Sequence, residues 1–160
     1  MADAKANPIK VIATNRAASH DYHIHERVEA GLVLLGSEVK SLREAKATLT
    51  DGWAEIRNGE AWLIGLQINE YKWANRYNHD PRRMRKLLLN KQELKRLHEK
   101  TQIRGYTLIP LQLYFKGARV KVELALVTNK KEYDKRQSKR AADDKREIDR
   151  AISDRKRKIS

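Results

Sequence analysis

The sequence predicts a mainly β fold: a small closed barrel with two or three short helices and a C-terminal tail that is disordered when free. Apolar and polar residues alternate along several short segments, which is the two-residue period of a strand with one buried face. Glycine-containing turns join these segments at short spacing, and helical periodicity is confined to two short segments. The last thirty-one residues contain few apolar side chains.

The first predicted strand covers residues 28–35. Its even positions are all apolar: Val28, Ala30, Leu32 and Leu34. Because successive strand residues point to opposite faces, we expect these four side chains to share the inward face.

A hairpin is predicted next, over residues 54–68. Asn58-Gly59 stands between two strand-like runs, and this pair favours a type I′ turn because both central residues need a positive φ. Apolar residues follow at every second position of the return strand: Trp62, Ile64, Leu66 and Ile68. We expect these side chains to lie on one buried face.

The clearest alternation is in the last predicted hairpin, which joins residues 106–115 to residues 120–126 through Lys116-Gly117. The inward positions of its second arm are Val120, Val122, Leu124 and Leu126. The intervening positions, which we expect to face outward, are Lys121, Glu123, Ala125 and Val127.

Two helices are predicted between the strands. The first covers residues 37–43 with Ser37 as its N-cap, and Val39 and Leu42 form an apolar pair on one face. The second begins at Asn90, with a glutamate three positions on as in a capping box, and ends at Gly105. Six or so strands with two short helices favour a barrel of the oligonucleotide-binding type, which closes its edges and leaves a face for nucleic acid.

We divide the chain into three parts: a mobile N-terminal arm (1–19), a β-barrel body (20–128) and a basic tail (129–160). The tail has too little apolar surface to offset the entropy lost on ordering. Its acidic and basic residues are nevertheless paired at helical spacing, as in Glu132 and Arg136. The tail is therefore either a helix that forms along a polyanionic groove or a merely solubilising extension.

Composition points to a polyanionic partner. The net charge is +14 and the pI is about 10.1, so nucleic acid is the leading candidate. The absence of cysteine excludes a disulfide scaffold, a thiol nucleophile and cysteine-ligated metals. Without an apolar run long enough for a membrane span or a signal peptide, we expect a cytoplasmic protein that does not contact a membrane.

Catalysis is not indicated. His20, His23 and His25 lie close together in sequence, but no cysteine or carboxylate completes a familiar metal-ligand spacing. The chain has no phosphate-binding glycine loop and no serine-nucleophile motif. We therefore expect no enzyme activity, no cofactor and no metal; a metal-dependent nuclease using these histidines is the alternative.

A basic stretch at residues 79–86 is the first candidate nucleic-acid site. Its cations are Arg82, Arg83, Arg85 and Lys86. Such side chains grip phosphate oxygens, and Leu87-Leu88-Leu89 would anchor the loop. Other cations that could extend this surface are Lys40, Arg43 and Lys121. A solvated charge run is the alternative interpretation.

Aromatic residues cluster after the second hairpin, at Tyr71, Trp73 and Tyr77. They could stack on unpaired bases or simply cover a loop. They do not alternate along a strand, which weakens the hypothesis of a general single-strand-binding protein.

A series of motifs occurs in order along residues 14–150. The motifs are Asn15-Arg16, His20-Asp21-Tyr22, Glu29-Ala30-Gly31, Gly36-Ser37-Glu38-Val39-Lys40-Ser41-Leu42-Arg43, Asp80-Pro81, Arg85-Lys86-Leu87-Leu88-Leu89, Gly105-Tyr106-Thr107, Pro110-Leu111, Leu113-Tyr114, Lys130-Lys131 and Tyr133-Asp134-Lys135-Arg136. As a set they resemble the SsrA-binding protein family, also called small protein B.

The resemblance implies a fold and a function. Members of this family have an oligonucleotide-binding barrel that binds the tRNA-like domain of transfer-messenger RNA in bacterial trans-translation. Alanyl-tRNA synthetase and elongation factor Tu with GTP are connected to the protein indirectly, through the RNA. The tail is disordered in solution and folds as a helix in the empty mRNA channel of a stalled ribosome, near the decoding centre.

The resemblance also assigns residues. By matching positions it places Glu29, Leu88 and Asn90 on the RNA-binding surface, with His20 and Lys121 beside it. The tail residues that it assigns to the ribosome are Lys130, Lys131, Tyr133, Asp134, Lys135 and Arg136. A general single-strand-binding or ribosomal protein is the alternative, and it would bind arbitrary RNA without preferring a tRNA-like fold.

Overall fold

The structure is a computed structural model, and it describes residues 8–73, 78–130, 140, 143–153 and 155. Up to residue 130, the described chain forms nine strands and three helices. The strands are β1 (Ile9–Thr14), β2 (Tyr22–Leu32), β3 (Ala47–Thr48), β4 (Trp53–Arg57), β5 (Glu60–Ile64), β6 (Gln67–Ile68), β7 (Arg85–Leu88), β8 (Tyr106–Lys116) and β9 (Arg119–Asn129). The helices are α1 (Ala18–Asp21), α2 (Gly36–Arg43) and α3 (Lys91–Thr101).

The strand pairing forms a ring. Among the described strands, the antiparallel order β8-β4-β5-β7-β2-β9 returns to β8, because β8 pairs with both β4 and β9. β1 is added at the edge of β8, and β3 and β6 form a separate two-stranded ladder. The mainly β prediction is confirmed.

The predicted turn at Asn58-Gly59 is confirmed. Asn58 has φ 51° and Gly59 has φ 76°, and Arg57 pairs with Glu60 on either side of them. Two residues with positive φ match the right-handed twist of the flanking strands, so this local sequence sets the register of the β4–β5 hairpin.

The predicted inward face of the return strand is wrong in its first half. Leu63 is fully buried, together with Ala61, whereas Trp62 and Ile64 lie on the outer face and are half-buried. Gly65 follows with φ 81° and breaks the alternation. After this break Leu66 and Ile68 are buried as predicted, because Gly65 shifts the two-residue alternation by one position and turns the even-numbered side chains inward.

The core side of β9 is confirmed, and its outer side holds a second cluster. The predicted inward residues Val120, Val122, Leu124 and Leu126 are all buried. Ala125 and Val127, which the pattern places outside, are fully buried as well. They pack with Ala18 of α1 and with Ile109 and Leu111 of β8, so that α1 covers this part of the sheet.

The arm predicted at residues 1–19 belongs to the fold from Ile9 onward. β1 pairs with residues 112–116 of β8, and the backbone N–H of Asn15 donates to Leu111 O at 2.8 Å. β4 pairs with β8 at Leu108, and therefore leaves the rest of that edge open for β1. An unpaired strand edge is a site for strand addition, which is why these residues do not form a free arm.

The sequence predicts the start of α3 correctly, but not the start of α2. The N-cap of α2 is Leu35 rather than Ser37, and the Leu35 N–H donates to Glu38 Oε1 at 2.8 Å. Ser37 instead shares a 2.9 Å hydrogen bond with His79 Nδ1. The predicted start of α3 is confirmed, since Asn90 Oδ1 accepts from the Glu93 N–H at 2.8 Å, but the helix ends at Thr101 and not at Gly105.

A buried ion cluster, formed by Glu38, Arg83 and Arg85, joins α2 to β7 and to the segment before it. Glu38 and Arg85 are both fully buried. Arg85 Nε lies 2.5 Å from Glu38 Oε2, and Arg83 Nη2 lies 2.6 Å from Glu38 Oε1. Arg85 also donates to the carbonyls of Leu66 at 2.7 Å and Pro81 at 3.1 Å.

The ion cluster holds Glu38 in its charged form. Burial raises the pKa of this carboxyl, but hydrogen bonds from Arg83 and from the Leu35 N–H, together with the charge of Arg85, lower it further than burial raises it. The net effect is a pKa below the usual 4.5. The carboxylate therefore offsets the charge of the buried Arg85 and also binds the partly exposed Arg83.

Part of the tail is helical. Residues 143–153 form a helix in which every residue is exposed, including Ile148 and Ile152 at 59% and 50%. The helical phasing that the sequence predicts is confirmed for this segment. That the tail folds only on binding stays a prediction.

We expect Glu38→Ala to lower the free energy of unfolding by about 3–5 kcal/mol, because it leaves the buried Arg85 guanidinium without its counter-charge. Urea unfolding measures this. The matched control is Glu60→Ala, which removes an exposed 3.2 Å ion pair with Lys86 and should cost less than about 1 kcal/mol. Equal losses in the two variants would contradict a special role for the buried cluster.

We expect Gly65→Ala to lower the unfolding free energy by at least about 2 kcal/mol, because a Cβ there would lie 2.6 Å from Asp51 O at a φ of 81°. Gly36→Ala is the control, since its Cβ would meet nothing within 4 Å. Thermal unfolding compares the two, and a Gly36→Ala variant as unstable as Gly65→Ala would refute the steric argument.

Candidate nucleic-acid interface

Gly31 is the point where three strands meet on the outside of the ring. It pairs with Leu88 of β7 on one side and with Lys121 of β9 on the other. A Cβ at Gly31 would lie 3.2 Å from Leu88 Cβ, so the missing side chain gives Leu88 room to lie over β2. Leu88 is 53% exposed, which leaves a large apolar side chain in solvent beside a lysine.

Glu29 lies two residues before Gly31 and therefore on the same outer face. Its carboxylate accepts a short hydrogen bond from the Tyr114 hydroxyl, and Lys116 Nζ donates to it at 3.2 Å. Tyr114 pairs with Lys121 across the β8–β9 ladder. The register therefore brings an acid, a phenol and two lysines together.

The electrostatics of this group fix the protonation of its members. The Tyr114 hydrogen bond lowers the pKa of Glu29 most; burial opposes it, and Lys116 and Lys121 add to the lowering. Burial and then the Glu29 carboxylate raise the pKa of the Tyr114 hydroxyl above its usual value. At neutral pH Glu29 is therefore an oriented anion and Tyr114 is a hydrogen-bond donor.

We call the outer-face group Glu29, Gly31, Lys86, Leu88 and Lys121 the Gly31 surface. Lys86 belongs to it because it lies two residues before Leu88 on the same face of β7, where Nζ contacts Glu60 Oε1 at 3.2 Å. Four residues that the sequence predicts for RNA binding thus come together here.

Asn90 lies just beyond this surface, at the start of α3. Its Oδ1 accepts from the Glu93 N–H, and its Nδ2 donates to Glu93 Oε1 at 2.5 Å. The side chain is exposed, but it holds the helix start in place. Its contacts in the structure are those of a helix cap, and its role in RNA binding stays a prediction.

The structure corrects the prediction for Arg85. The sequence predicts a phosphate-binding side chain there, but Arg85 is fully buried and bound to Glu38. Arg83 is bound to the same carboxylate, with 32% of its side chain exposed. The reason is that a carboxylate 47 positions away in sequence needs buried counter-charges, which a local charge run does not reveal.

Lys40 and Arg43 lie on α2, away from the Gly31 strand pairs. Both are exposed, and Lys40 Nζ lies 5.7 Å from the centre of the Tyr71 ring. Trp73 is 69% exposed, so it does not cover the loop, whereas Tyr71 is half-buried. Tyr77 lies outside the described residues.

His20 lies at the opposite end of β2 from the Gly31 surface. Its Nδ1 is 2.9 Å from Asp21 Oδ1, and the nine strand steps from Tyr22 to Gly31 correspond to about 30 Å. Lys130 contacts the same region: its N–H donates to Asp21 O at 3.0 Å, and its Nζ donates to Ser19 O at 2.8 Å. The start of the tail is therefore attached to α1.

The remaining ribosome-directed predictions lie outside the described residues. These residues are Lys131, Tyr133, Asp134, Lys135 and Arg136.

The histidines form no metal site in the part of the chain that the structure describes, where no three potential ligands cluster. His25 Nε2 instead lies 2.8 Å from Thr128 Oγ1 on the neighbouring strand. Across the described segments, no helix has the length and apolar character needed to cross a bilayer.

Sequence reasoning missed Tyr114 and Lys116, which bind Glu29 from β8. The turn at Lys116-Gly117 contains the information that could have identified Tyr114. A hairpin closed there by Lys116 and Arg119 places Tyr114 opposite Lys121, so counting back from the turn finds the phenol.

Comparison with known proteins finds relatives over most of the chain. The family described as SmpB protein matches residues 12–154. An SsrA-binding protein of Clavibacter michiganensis subsp. michiganensis is 55% identical over 92% of this chain and 94% of its own length. That of Thermobifida fusca is 54% identical over 89% of each chain.

A solved structure is also similar. It is described as "tmRNA-SmpB: a journey to the center of the bacterial ribosome", and its matching chain is 47% identical with a TM-score of 0.64. The match covers 75% of this chain and 85% of that chain. Sequence and fold therefore agree on the same relatives.

We expect Tyr114→Phe to raise the pKa of Glu29 toward 4.5, because the variant loses the hydrogen bond that lowers it most. A depressed carboxyl pKa stabilises the fold above the unfolded pKa, and this stabilisation is lost as the pH falls through the folded pKa. The variant should therefore lose less stability on acidification. Carboxyl-carbon NMR titration measures the shift, and Lys116→Gln should give a smaller one; a larger shift in Lys116→Gln would contradict the assignment.

Proposed function

The chain belongs to the SmpB family of SsrA-binding proteins, and we propose that it is a non-catalytic RNA-binding adaptor of trans-translation in the bacterial cytoplasm. Its body binds the tRNA-like domain of transfer-messenger RNA and its tail engages the stalled ribosome. The family match supports both parts, since residues 12–154 include the body and most of the tail. Alanyl-tRNA synthetase and elongation factor Tu with GTP act through the same RNA.

We propose that the ring of strands is a closed barrel of the oligonucleotide-binding type. Two observations support closure: β8 pairs with strands at both ends of the series, and the main core cluster contains inward residues from each strand of the ring. A closed ring leaves its outer face to bind the ligand, and the Gly31 surface lies on that face.

The Gly31 surface is the observation that carries the RNA assignment. An exposed leucine can pack against an unstacked base, and a carboxylate accepts hydrogen bonds from base amino groups or 2′-hydroxyls. Lys86 and Lys121 supply attraction to the phosphate backbone. A protein that only follows the phosphate backbone would need only the lysines. The combination of an exposed leucine, a carboxylate and two lysines therefore supports recognition of a folded RNA.

Glu29 gives this surface its selectivity. A fixed carboxylate repels phosphate groups, so an RNA binds well only where its fold presents a donor at that position. The Tyr114 hydroxyl and Lys116 hold the carboxylate in one orientation. Arbitrary single strands have no donor placed to match it, which favours a tRNA-like fold over general binding.

The tail senses whether the mRNA channel is empty. Lys130 fixes its start on α1, and residues 143–153 can adopt a helix with every side chain exposed. The contacts to the ribosome are assigned to Lys130, Lys131, Tyr133, Asp134, Lys135 and Arg136. Bound mRNA would occupy the same groove, so recognition follows from steric competition, with counterion release supplying attraction.

We expect truncation after Lys130 to leave the affinity for transfer-messenger RNA nearly unchanged and to abolish peptide tagging. β9 ends at Asn129 and the Lys130 N–H is bound to Asp21, so the cut spares the folded body. Filter binding with bulk tRNA as competitor measures affinity and selectivity, and a tagging assay measures delivery. Loss of RNA binding on truncation would refute the division of labour.

We expect Tyr133→Ala, alone or with Asp134→Ala and Lys135→Ala, to reduce accommodation on stalled ribosomes far more than RNA binding. The reason is that an aromatic ring there would stack near the decoding centre. Tyr133→Phe keeps the ring and is the matched control, with tagging near that of the unsubstituted protein. Equal losses in RNA affinity and tagging would count against the assignment.

A further inference from the structure

A groove lies between the β4–β5 turn and α3, outside the Gly31 surface. Its volume is about 260 Å³, and its lining residues are Ile56, Gly59, Lys91, Leu94, Lys95 and His98. Ile56 and Leu94 form an aliphatic floor that the core covers on one side. Gly59 leaves open space where a side chain would stand, so one wall is bare turn backbone.

Three basic residues of α3 line this groove. Lys91, Lys95 and His98 are spaced four and three positions apart, which places them on one face of α3. Among the described residues, none of their side chains has a hydrogen-bond or ion-pair partner.

The other cations of α3 behave differently. Arg96 and Lys100 both contact the Glu26 carboxylate of β2, with Lys100 Nζ at 2.9 Å. These two hold the helix on the ring. The cations of α3 are thus divided between a face that is bound to Glu26 and a face that lines the groove.

The groove lies close to the Gly31 surface along the chain. Leu88 ends β7 and Lys91 begins α3, so at most about 10 Å of chain separates the two sites. An RNA strand bound at Leu88 therefore has only a short distance to span to Lys91.

We infer that this groove is a second RNA subsite, which takes an unpaired nucleotide of the same RNA that the Gly31 surface binds. The base packs on Ile56 and Leu94, and the adjoining phosphates contact Lys91 and Lys95, which are about 6 Å apart along the helix axis. This assignment rests on the proposed function of the body. RNA is favoured over an acidic peptide because one strand can occupy both neighbouring sites.

The first test is the full-length double variant Lys91→Ala/Lys95→Ala. We expect its affinity for transfer-messenger RNA to fall about tenfold, and the slope of log affinity against log salt to become shallower by about 1–2. Lys145→Ala/Arg150→Ala is the control, with the same charge change on exposed helical residues of the tail, and should lose less than about twofold. Far-UV circular dichroism verifies that α3 remains folded.

Equal losses in the two double variants would overturn the subsite, because general charge would then explain both. Normal RNA affinity with lost tagging would also overturn it, since the groove would then serve a ribosomal partner. Failure of the proposed function is a different result: the unsubstituted protein would bind bulk tRNA as well as transfer-messenger RNA.

A second test uses the absence of cysteine from the chain. A single cysteine in Lys95→Cys can be labelled with an azidophenacyl photo-crosslinker, with Lys145→Cys as the control. We expect Lys95→Cys to crosslink to one discrete position of transfer-messenger RNA, and Lys145→Cys to give weak or scattered products. Scattered products at both positions would overturn the subsite.

Discussion

The salt bridge between Glu38 and Arg85 is the interaction on which the Gly31 surface depends. Both side chains are fully buried, and Arg85 also binds backbone carbonyls on either side of the loop that leads to β7. Removing one member of such a pair leaves a charge stranded in the core. α2 and β7 are therefore held in one relative position, and Leu88 at the end of β7 is placed over Gly31.

This constraint changes the role of the basic stretch at residues 79–86, which runs into β7. Two of its four cations bind Glu38, and the fully buried Arg85 is not available to phosphate. The exposed site is built instead by strand register, which brings Leu88 and Lys121 to the two sides of Gly31. The proposed recognition thus depends on a few positioned groups rather than on charge density.

What the sequence predicts well is local. Asn58-Gly59 carries its turn conformation in two residues, and Asn90 needs only the N–H of Glu93, three positions on, to cap α3. What it does not reveal depends on distant partners. Arg85 is buried because of Glu38, and the inner face of the second hairpin shifts because Gly65 interrupts the strand.

The candidate site also combines features that the sequence predicts with features that depend on distant partners. Family motifs point to Glu29 and Leu88, but the partners that orient Glu29 come from β8, 85 and 87 positions away. β1 is similar, since its strand forms only because β4 leaves part of the β8 edge open. Periodicity within one segment contains no information about either arrangement, because both depend on which strand lies alongside.

The two proposed contacts of the protein lie at opposite ends of β2. The Gly31 surface is at its C-terminal end, and Lys130 attaches the start of the tail to Ser19 and Asp21 just before its N-terminal end. β2 is paired with β9 along nearly its whole length, so these ends keep a fixed separation of about 30 Å. An adaptor needs such a rigid spacing, because RNA held at one end then sets where the tail begins to search the ribosome.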